Sequence, residues 1–297
     1  MRRPLTIVAT ALLLLSLASP ASAAPAQPDV PAGVRAGYVV LDRKTGRVTV
    51  QHDAHRRFRS ASVVKILIAI DYLESHRDVP RRDLALLGRM LRVSDDAAAT
   101  SFWARGGRGR IVERTARRLG LTDTAPPPAD KPGFWGYTSL SAMDVVRAYR
   151  YLLDRAAPRV RDIVLGHLRA AEQCGSDGFD QYFGIPRAVP RPWAVKQGWS
   201  GYGSTPPVRC AKTAPASGGA VPATWRTASL PARPAAVTVP DLGHPVLHTT
   251  GLVGPEERWI MVLLTAHPST ATWSRSTAQT TTLARRIYLA GARTGAR

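Results

Sequence analysis

The sequence has few lysines, and no long apolar segment follows its first residues. Only five of its 41 Lys and Arg residues are lysines, at positions 44, 65, 131, 196 and 212. Arginine keeps its proton in proteins, whereas a buried lysine can lose it, so each lysine of this arginine-rich chain is a candidate proton acceptor. A membrane span needs about 20 consecutive apolar residues, and no such segment follows the N-terminus, so no membrane span is predicted.

Signatures of metal and nucleic-acid binding are also lacking. The seven histidines form no recognised metal-binding motif such as His-Glu-x-x-His, so neither a metal site nor a cofactor is predicted. The formal net charge is +20, but no basic run carries interleaved aromatic residues, and nucleic-acid binding is not expected. An exported protein of this charge would associate with an anionic cell wall.

The first residues have the features of a secretory signal. Two arginines precede an apolar run from Ile7 to Leu17, and Ala-Ser-Ala at positions 21–23 suits cleavage. We therefore predict a signal peptide at 1–23, a flexible lead-in at 24–35, and a protein that is secreted or associated with the cell wall. No cysteine lies near the cleavage site, so a lipid anchor is not expected.

The cysteines are scarce as well. There are two, Cys174 and Cys210. An even number in an oxidising compartment favours a disulfide, and two free buried thiols are the alternative.

The order of predicted elements indicates an α/β (α+β) fold. Periodicity predicts strands at Ala36–Asp42, Arg47–Gln51, Trp193–Trp199, Leu247–Val253 and Trp259–Thr265, helices at Ser62–Ser75 and Thr270–Ala290, and several helical pieces between residues 81 and 168. One sheet would then be built from both ends of the chain, with a helical lobe inserted. We expect a single domain over 36–297, with a sheet lobe (36–60 and 190–297), a helical lobe (61–189) and an irregular insertion (203–240).

Three short motifs occur in order. Ser62-Val63-Val64-Lys65 begins the first predicted helix, Ser94-Asp95-Asp96 lies between helical segments, and Lys196-Gln197-Gly198 lies on a predicted strand. A neutral amine one helical turn after a serine can take the proton of its hydroxyl and activate the oxygen as a nucleophile.

With these motifs in this order, the chain resembles the penicillin-recognising serine hydrolases, which include class A β-lactamases and D-alanyl-D-alanine peptidases. The resemblance runs from Ala36 to the last helix. It implies a β-lactamase-like antiparallel sheet flanked by the N- and C-terminal helices, with the helical lobe inserted. Lys44-Thr45-Gly46 also matches the third motif, but it precedes Ser62, and a hairpin turn explains it.

The resemblance implies four catalytic residues. Ser62 would be the acylated nucleophile and Lys65 its neutral base or a proton relay. Ser94 would pass protons to the leaving group. Lys196 would keep the site positive and help to bind a substrate carboxylate.

The resemblance also implies substrate contacts. The backbone N–H groups of Ser62 and Trp199 would form an oxyanion hole, and Gly198 would let the strand approach the substrate. Asp96 stands where the family usually has Asn, at the contact with the substrate's amide side chain. Gln197 stands where a Thr or Ser hydroxyl usually contacts the substrate carboxylate.

One catalytic group of the class A β-lactamases has no counterpart. Those enzymes activate the deacylating water with a glutamate on a loop before the third motif. The corresponding stretch, Thr122 to Thr138, holds only two acids, Asp123 and Asp130. An inefficient β-lactamase is therefore expected.

The sequence thus predicts an exported active-site-serine hydrolase that acts on amides or esters, such as peptidoglycan peptides or β-lactam-like compounds, through an acyl-enzyme. One alternative is a non-catalytic member of the fold that binds cell-wall peptide or a protein partner. Another is a cationic wall-binding protein that does not use the serine.

Overall fold

The structure is a computed structural model, and it describes residues 27–211 and 239–294. The predicted signal peptide (1–23) lies outside these ranges, as does most of the predicted insertion, residues 212–238. Within the described ranges, no helix is both long and apolar enough to cross a membrane.

The main sheet is antiparallel and joins both ends of the chain. The strands are β1 (Arg35–Asp42), β2 (Arg47–His52), β3 (Phe58–Arg59), β4 (Ser139–Leu140), β5 (Trp193–Ser200), β6 (Val246–Val253) and β7 (Trp259–Ala266). The order in the main sheet is β2-β1-β7-β6-β5, and β3 pairs separately with β4. All neighbours are antiparallel, and β7 pairs with β1 along its whole length.

Helices cover both faces of this sheet. They are α1 (Lys65–Ser75), α2 (Arg81–Arg92), α3 (Asp96–Arg105), α4 (Gly109–Leu119), α5 (Ala142–Asp154), α6 (Pro158–Arg169), α7 (Ile185–Ala188) and α8 (Trp273–Thr294). The first six form the inserted helical lobe. Their central member is α1, whose first nine residues are all buried. A helix that is apolar on nearly every side must be covered by neighbours on nearly every side.

The sheet separates two apolar cores, and β5 contributes to both. Ala194 belongs to the core that includes α1 and α5, whereas Trp193 and Val195 belong to the core under α8. Because side chains alternate along a strand, Lys196 lies on the face toward the helical lobe, and Gln197 lies on the opposite face.

The predicted fold class is confirmed, and each strand of the main sheet begins and ends within one residue of its predicted bounds. The first helix differs in detail. Ser62 lies in a 3₁₀ turn at Ala61–Val64, and the α-helix begins only at Lys65. The last helix begins at Trp273 and continues to Thr294.

A disulfide between Cys174 and Cys210 is present, as the even cysteine count favours. Cys174 begins a loop that follows α6, which we call the Cys174 loop (residues 174–183). The N–H of Cys210 donates to the carbonyl of Gly178, 2.8 Å away, so the loop and the segment after β5 are also joined through the backbone. The disulfide thereby ties the end of the helical lobe to the chain that leaves β5.

A buried histidine joins β6 to β3. One ring nitrogen of His248 accepts from the N–H of Thr265, and the other lies 2.8 Å from the carbonyl oxygen of Arg59. This pattern requires the neutral tautomer that carries its proton on Nε2. Burial lowers the pKa of His248 from 6.5 to about 4.

We predict that His248 makes the protein sensitive to acid. The unfolded state takes up the histidine proton near pH 6.5, but the folded state does so only near pH 4. The contribution is therefore complete above pH 6.5 and is lost as the pH falls toward 4. It amounts to about 3 kcal/mol of the free energy of unfolding. Urea unfolding of His248→Gln at pH 7.5 and 4.5 should show a smaller pH difference than wild type. The surface control His52→Gln should match wild type, and equal differences for all three would contradict the prediction.

Candidate active site

The nucleophile candidate lies where the 3₁₀ turn meets β5. A Cβ at Gly198 would lie 3.1 Å from the side chain of Val63 and 3.2 Å from the backbone nitrogen of Ser62, so any other residue would push these neighbours away. Ala61, directly before Ser62, has a positive φ of 44°. A non-glycine residue seldom adopts this backbone, and such strain is concentrated at functional sites.

The second motif is placed by a helix cap. Asp95 is the N-cap of α3, and its Oδ1 accepts from the N–H of Ala98 at 2.8 Å. Asp is a favoured N-cap, which explains why α3 begins at Asp96. Ser94 has a positive φ of 57°. Its hydroxyl and its carbonyl oxygen both contact the amine of Lys65.

Lys65 is buried and is surrounded by oxygen atoms. Its Nζ lies 2.8 Å from the hydroxyl of Ser62, 2.6 Å from the carbonyl of Ser94 and 2.6 Å from Oδ1 of Asp96. The hydroxyl of Ser94 is slightly farther, at 3.2 Å. An ammonium group has three N–H donors, so these four oxygen contacts share them. Lys65 and Asp96 thus form an ion pair between a buried amine and a largely exposed carboxylate.

Lys196 is equally buried, but its surroundings are different. Its Nζ lies 2.9 Å from the hydroxyl of Ser94 and 3.0 Å from the carbonyl of Gln197. Both of these partners are uncharged. Burial, reinforced by the charge of Lys65, lowers the pKa of Lys196 well below its ordinary value of 10.5. Burial disfavours the charged form of an amine, so these surroundings favour neutral Lys196.

The backbone of Lys196 is held from behind by the helical lobe. Thr250, its cross-strand partner on β6, donates its hydroxyl to the Lys196 carbonyl at 2.9 Å. The hydroxyl of Tyr149, on α5, lies 3.0 Å from that of Thr250. Burial raises the pKa of Tyr149, which keeps the phenol protonated. This chain of hydrogen bonds fixes the position of the Lys196 backbone relative to the helical lobe.

Ser62, Lys65, Ser94 and Lys196 are therefore joined in one hydrogen-bonded chain. Of the predicted substrate contacts, Gly198 lies against the Ser62 turn, and Asp96 turns one oxygen toward Lys65. The side chain of Gln197 is buried on the far face of β5, where its amide donates to the carbonyl of Phe183. The indole of Trp199 also lies on that face, against Trp273.

Two further residues reach this site without having been predicted. The ring of Trp135 lies 4.7 Å from Nζ of Lys65, and its indole N–H donates to Thr100 at 3.2 Å. Asp177, in the Cys174 loop, accepts from the indole N–H of Trp199 at 3.0 Å. Both come from irregular segments whose periodicity carries no signal. The aromatic residues of the segment from 134 to 137 were the available hint for Trp135.

The two acids of the 122–138 stretch are engaged elsewhere. Asp123 accepts from the hydroxyl of Ser141 at 2.7 Å and pairs with His55, and Asp130 pairs with the adjacent Lys131. In the part of the chain that the structure describes, no group of three or more His, Cys, Asp or Glu side chains is arranged to hold a metal ion.

Solved structures define the class of fold. PBP-A, as the penicillin G acyl-enzyme of a point mutant, superposes with a TM-score of 0.60 at 13% identity, over 89% of this chain and 92% of that one. A class A β-lactamase from Mycobacterium abscessus gives 0.57 at 19% identity, over 87% and 94%. The chain therefore has the fold of the penicillin-recognising serine hydrolases, as its motifs predict.

Sequence comparison gives the family. No protein-family model matches the chain. The protein named "Putative lipoprotein LppW" from Mycobacterium tuberculosis is 32% identical over 254 residues, which are 82% of this chain and 67% of the relative. The same protein from Mycobacterium bovis matches equally well. The chain belongs to the LppW family.

We predict that Gly198→Ala reduces the reactivity of Ser62. The added methyl group would meet the Val63 side chain and the Ser62 backbone at 3.1–3.2 Å, and β5 would have to move away from the serine. Since a displacement of about 1 Å can cost roughly 10²-fold in rate, labelling of Ser62 by a neutral fluorophosphonate should slow by about 10-fold or more. Gly166→Ala is the matched control, because a Cβ at Gly166 meets nothing within 4 Å. Equal labelling rates in the two variants would contradict the prediction.

Proposed function

We propose that this protein is a serine hydrolase that forms an acyl-enzyme on Ser62 from amide or ester substrates. The observation that supports this best is the unbroken hydrogen-bonded chain from Ser62 through Lys65 and Ser94 to Lys196. If Ser62 had a purely structural role, it would not require two buried lysines that both contact the hydroxyl of Ser94. Peptidoglycan peptides and β-lactam-like compounds are the proposed substrates, and the fold neighbours support that choice.

The proposed proton path differs from the path that the sequence predicts. Lys65 forms an ion pair, whereas Lys196 has uncharged partners and a lowered pKa. Lys65 therefore passes one proton through Ser94 to neutral Lys196 as it takes the proton of Ser62. The Ser62 oxygen bonds to the substrate carbonyl carbon. The bond to the leaving group then breaks, and Lys196 returns the proton to that group through Ser94. The products are acyl-Ser62 and the protonated leaving group.

We also propose that the protein works in the cell envelope. The relatives carry the name lipoprotein, and this chain has an apolar N-terminal run and a disulfide. An anionic wall would attract its net charge of +20.

The catalytic proposal predicts a rate of Ser62 acylation that rises with pH. Neutral Lys196 is required, so the rate should increase as the pH passes upward through the lowered pKa of Lys196. Replacing either lysine should slow labelling by a neutral fluorophosphonate by roughly 10²-fold or more, as expected when a proton acceptor is removed. The variants are Lys65→Arg, Lys196→Arg and Lys196→Met, with Lys44→Arg in the hairpin turn as the control.

Intact-mass spectrometry measures the label on variants whose folding is first confirmed by thermal unfolding. Labelling of Ser62 in wild type supports the hydrolase if replacing either Lys65 or Lys196 abolishes that labelling. An unlabelled wild-type serine would favour the non-catalytic binding protein. Full labelling of folded Lys196→Met would exclude Lys196 as the proton acceptor.

A second prediction concerns the fate of the acyl-enzyme. The loop over Lys65 presents the indole of Trp135, and Asp123 and Asp130 have other partners. Without a general base for water, deacylation should be slower than in an efficient β-lactamase by about 10²–10⁴-fold. Penicillin G should therefore remain on Ser62 for minutes or longer, as followed by intact mass. Rapid return of the unmodified mass would show that another group activates the water.

A further inference from the structure

Two carboxylates near the motif residues face solvent, and Arg209, packed against Gly178, is an exposed cation in the same region. The side chain of Asp96 is 59% exposed, and Asp177 is exposed as well. Three other cations nearby are buried: Lys65, Lys196 and Arg59 are 0%, 1% and 4% exposed. An approaching substrate therefore meets carboxylates before it meets any of these three positive groups.

The buried cations are already engaged by the protein. Lys65 pairs with Asp96, and Lys196 contacts Ser94 and its own neighbouring carbonyl. The guanidinium of Arg59 donates to the carbonyl oxygens of Asp241 and Ser200. The amide of Gln197 is turned away, toward Phe183. None of these described groups is left as an exposed partner for a substrate carboxylate.

Asp177 is held firmly in its place. It lies in the Cys174 loop, which a β-bridge between Cys174 and Asp180 closes. One of its oxygens accepts from the N–H of Phe179 at 3.1 Å, and the other accepts from the indole of Trp199. The loop packs directly on that indole, since a Cβ at Gly175 would lie 3.1 Å from the ring. The carboxylate is thereby fixed beside the end of β5.

Both carboxylates belong to segments that lie beside Ser94, the proposed proton donor. Asp96 comes two residues after Ser94, and the N–H of Ser176, next to Asp177, donates to the carbonyl of Val93, next to Ser94, at 2.8 Å. The surrounding protein raises the pKa of Asp177, and the negative charge of Asp96 adds to the effect. A cation between the two carboxylates would relieve their repulsion, and Trp199 offers an aromatic surface beside them.

We propose that the cleft selects substrates whose leaving group carries a positive charge, with Asp177 as the specificity-determining residue. This inference rests on the proposed serine hydrolase activity. The preferred substrate class is an ester, thioester or amide whose leaving group bears an ammonium group. A leaving group with a free carboxylate, as in the release of a C-terminal amino acid, is disfavoured.

Three acetyl thioesters of matched size test the proposal. Acetylthiocholine has a cationic leaving group, S-(3,3-dimethylbutyl) thioacetate is its neutral isostere, and S-(2-sulfoethyl) thioacetate is anionic. In each case the Ser62 oxygen bonds to the acetyl carbon, the C–S bond breaks, and the thiol leaves with the proton that Ser94 delivers. The first equivalent of thiol released per protein reports acylation, even when deacylation is slow.

At low ionic strength, the cationic ester should acylate about 10-fold faster than the neutral one, and the anionic ester about 10-fold slower. The differences should shrink in 0.5 M salt, where charges are screened beyond roughly 4–5 Å. Asp177→Asn should reduce the cationic-to-neutral rate ratio several-fold, and this ratio is the readout because the substitution can also change the rate with the neutral thioester. Asp180→Asn is the matched control, because Asp180 lies in the same loop as Asp177 but pairs with Arg187 of α7. This variant should keep the wild-type ratio.

The wild-type ratios decide the question even if Asp177→Asn folds poorly. Equal rates for the three esters, or a preference for the anionic one, would overturn the charge selection while fluorophosphonate labelling of Ser62 still supported the hydrolase. If the folded Asp177→Asn variant retains the wild-type preference in full, Asp177 is not the source of that preference. A Ser62 that neither a thioester nor the fluorophosphonate acylates would overturn both proposals.

Discussion

The hydroxyl of Ser94 holds this site together. It lies within hydrogen-bond distance of both buried lysines, one from the first helix of the helical lobe and one from the edge strand of the sheet. Two ammonium groups at this separation would repel strongly in a buried site, so one of them must give up its proton or find a counter-charge. Asp96 supplies the counter-charge for Lys65, and Lys196 is left as the amine that is more easily neutral. The packing of the two lobes therefore determines the chemistry, because their contact sets the distances in this chain.

The same contact explains why small and strained residues gather here. Gly198 allows β5 to approach the turn that carries Ser62, and Ala61 and Ser94 adopt backbone angles that cost energy for residues with a side chain. The surrounding helices and sheet must supply the stability that holds them. A fully buried α1 and a sheet with an apolar core on each side are well suited to this task.

Much of this architecture follows from local sequence patterns. Alternation in β5 and the apolar run of α1 are local features, and they predict where Lys196 and Lys65 lie. The same alternation places the side chain of Gln197 on the opposite face of β5 from that of Lys196. Asp177 and Trp135 could not be predicted, because long-range contacts bring their irregular segments to the site. The protonation of the lysines was also beyond the sequence, since it depends on burial and on distances of a few ångströms.

The disulfide makes the position of the Cys174 loop depend on the redox conditions in which the chain folds. A bond between Cys174 and Cys210 forms only where thiols are oxidised, and in a reducing cytoplasm the two cysteines would remain apart. The serine and both lysines are held by packing and hydrogen bonds, but the loop that carries Asp177 is also tethered covalently. A chain with this bond reduced would keep Ser62 and the two lysines in place, but the Cys174 loop would be fixed less firmly beside β5. Under the proposed function, the selectivity of the site is complete only once the disulfide has formed.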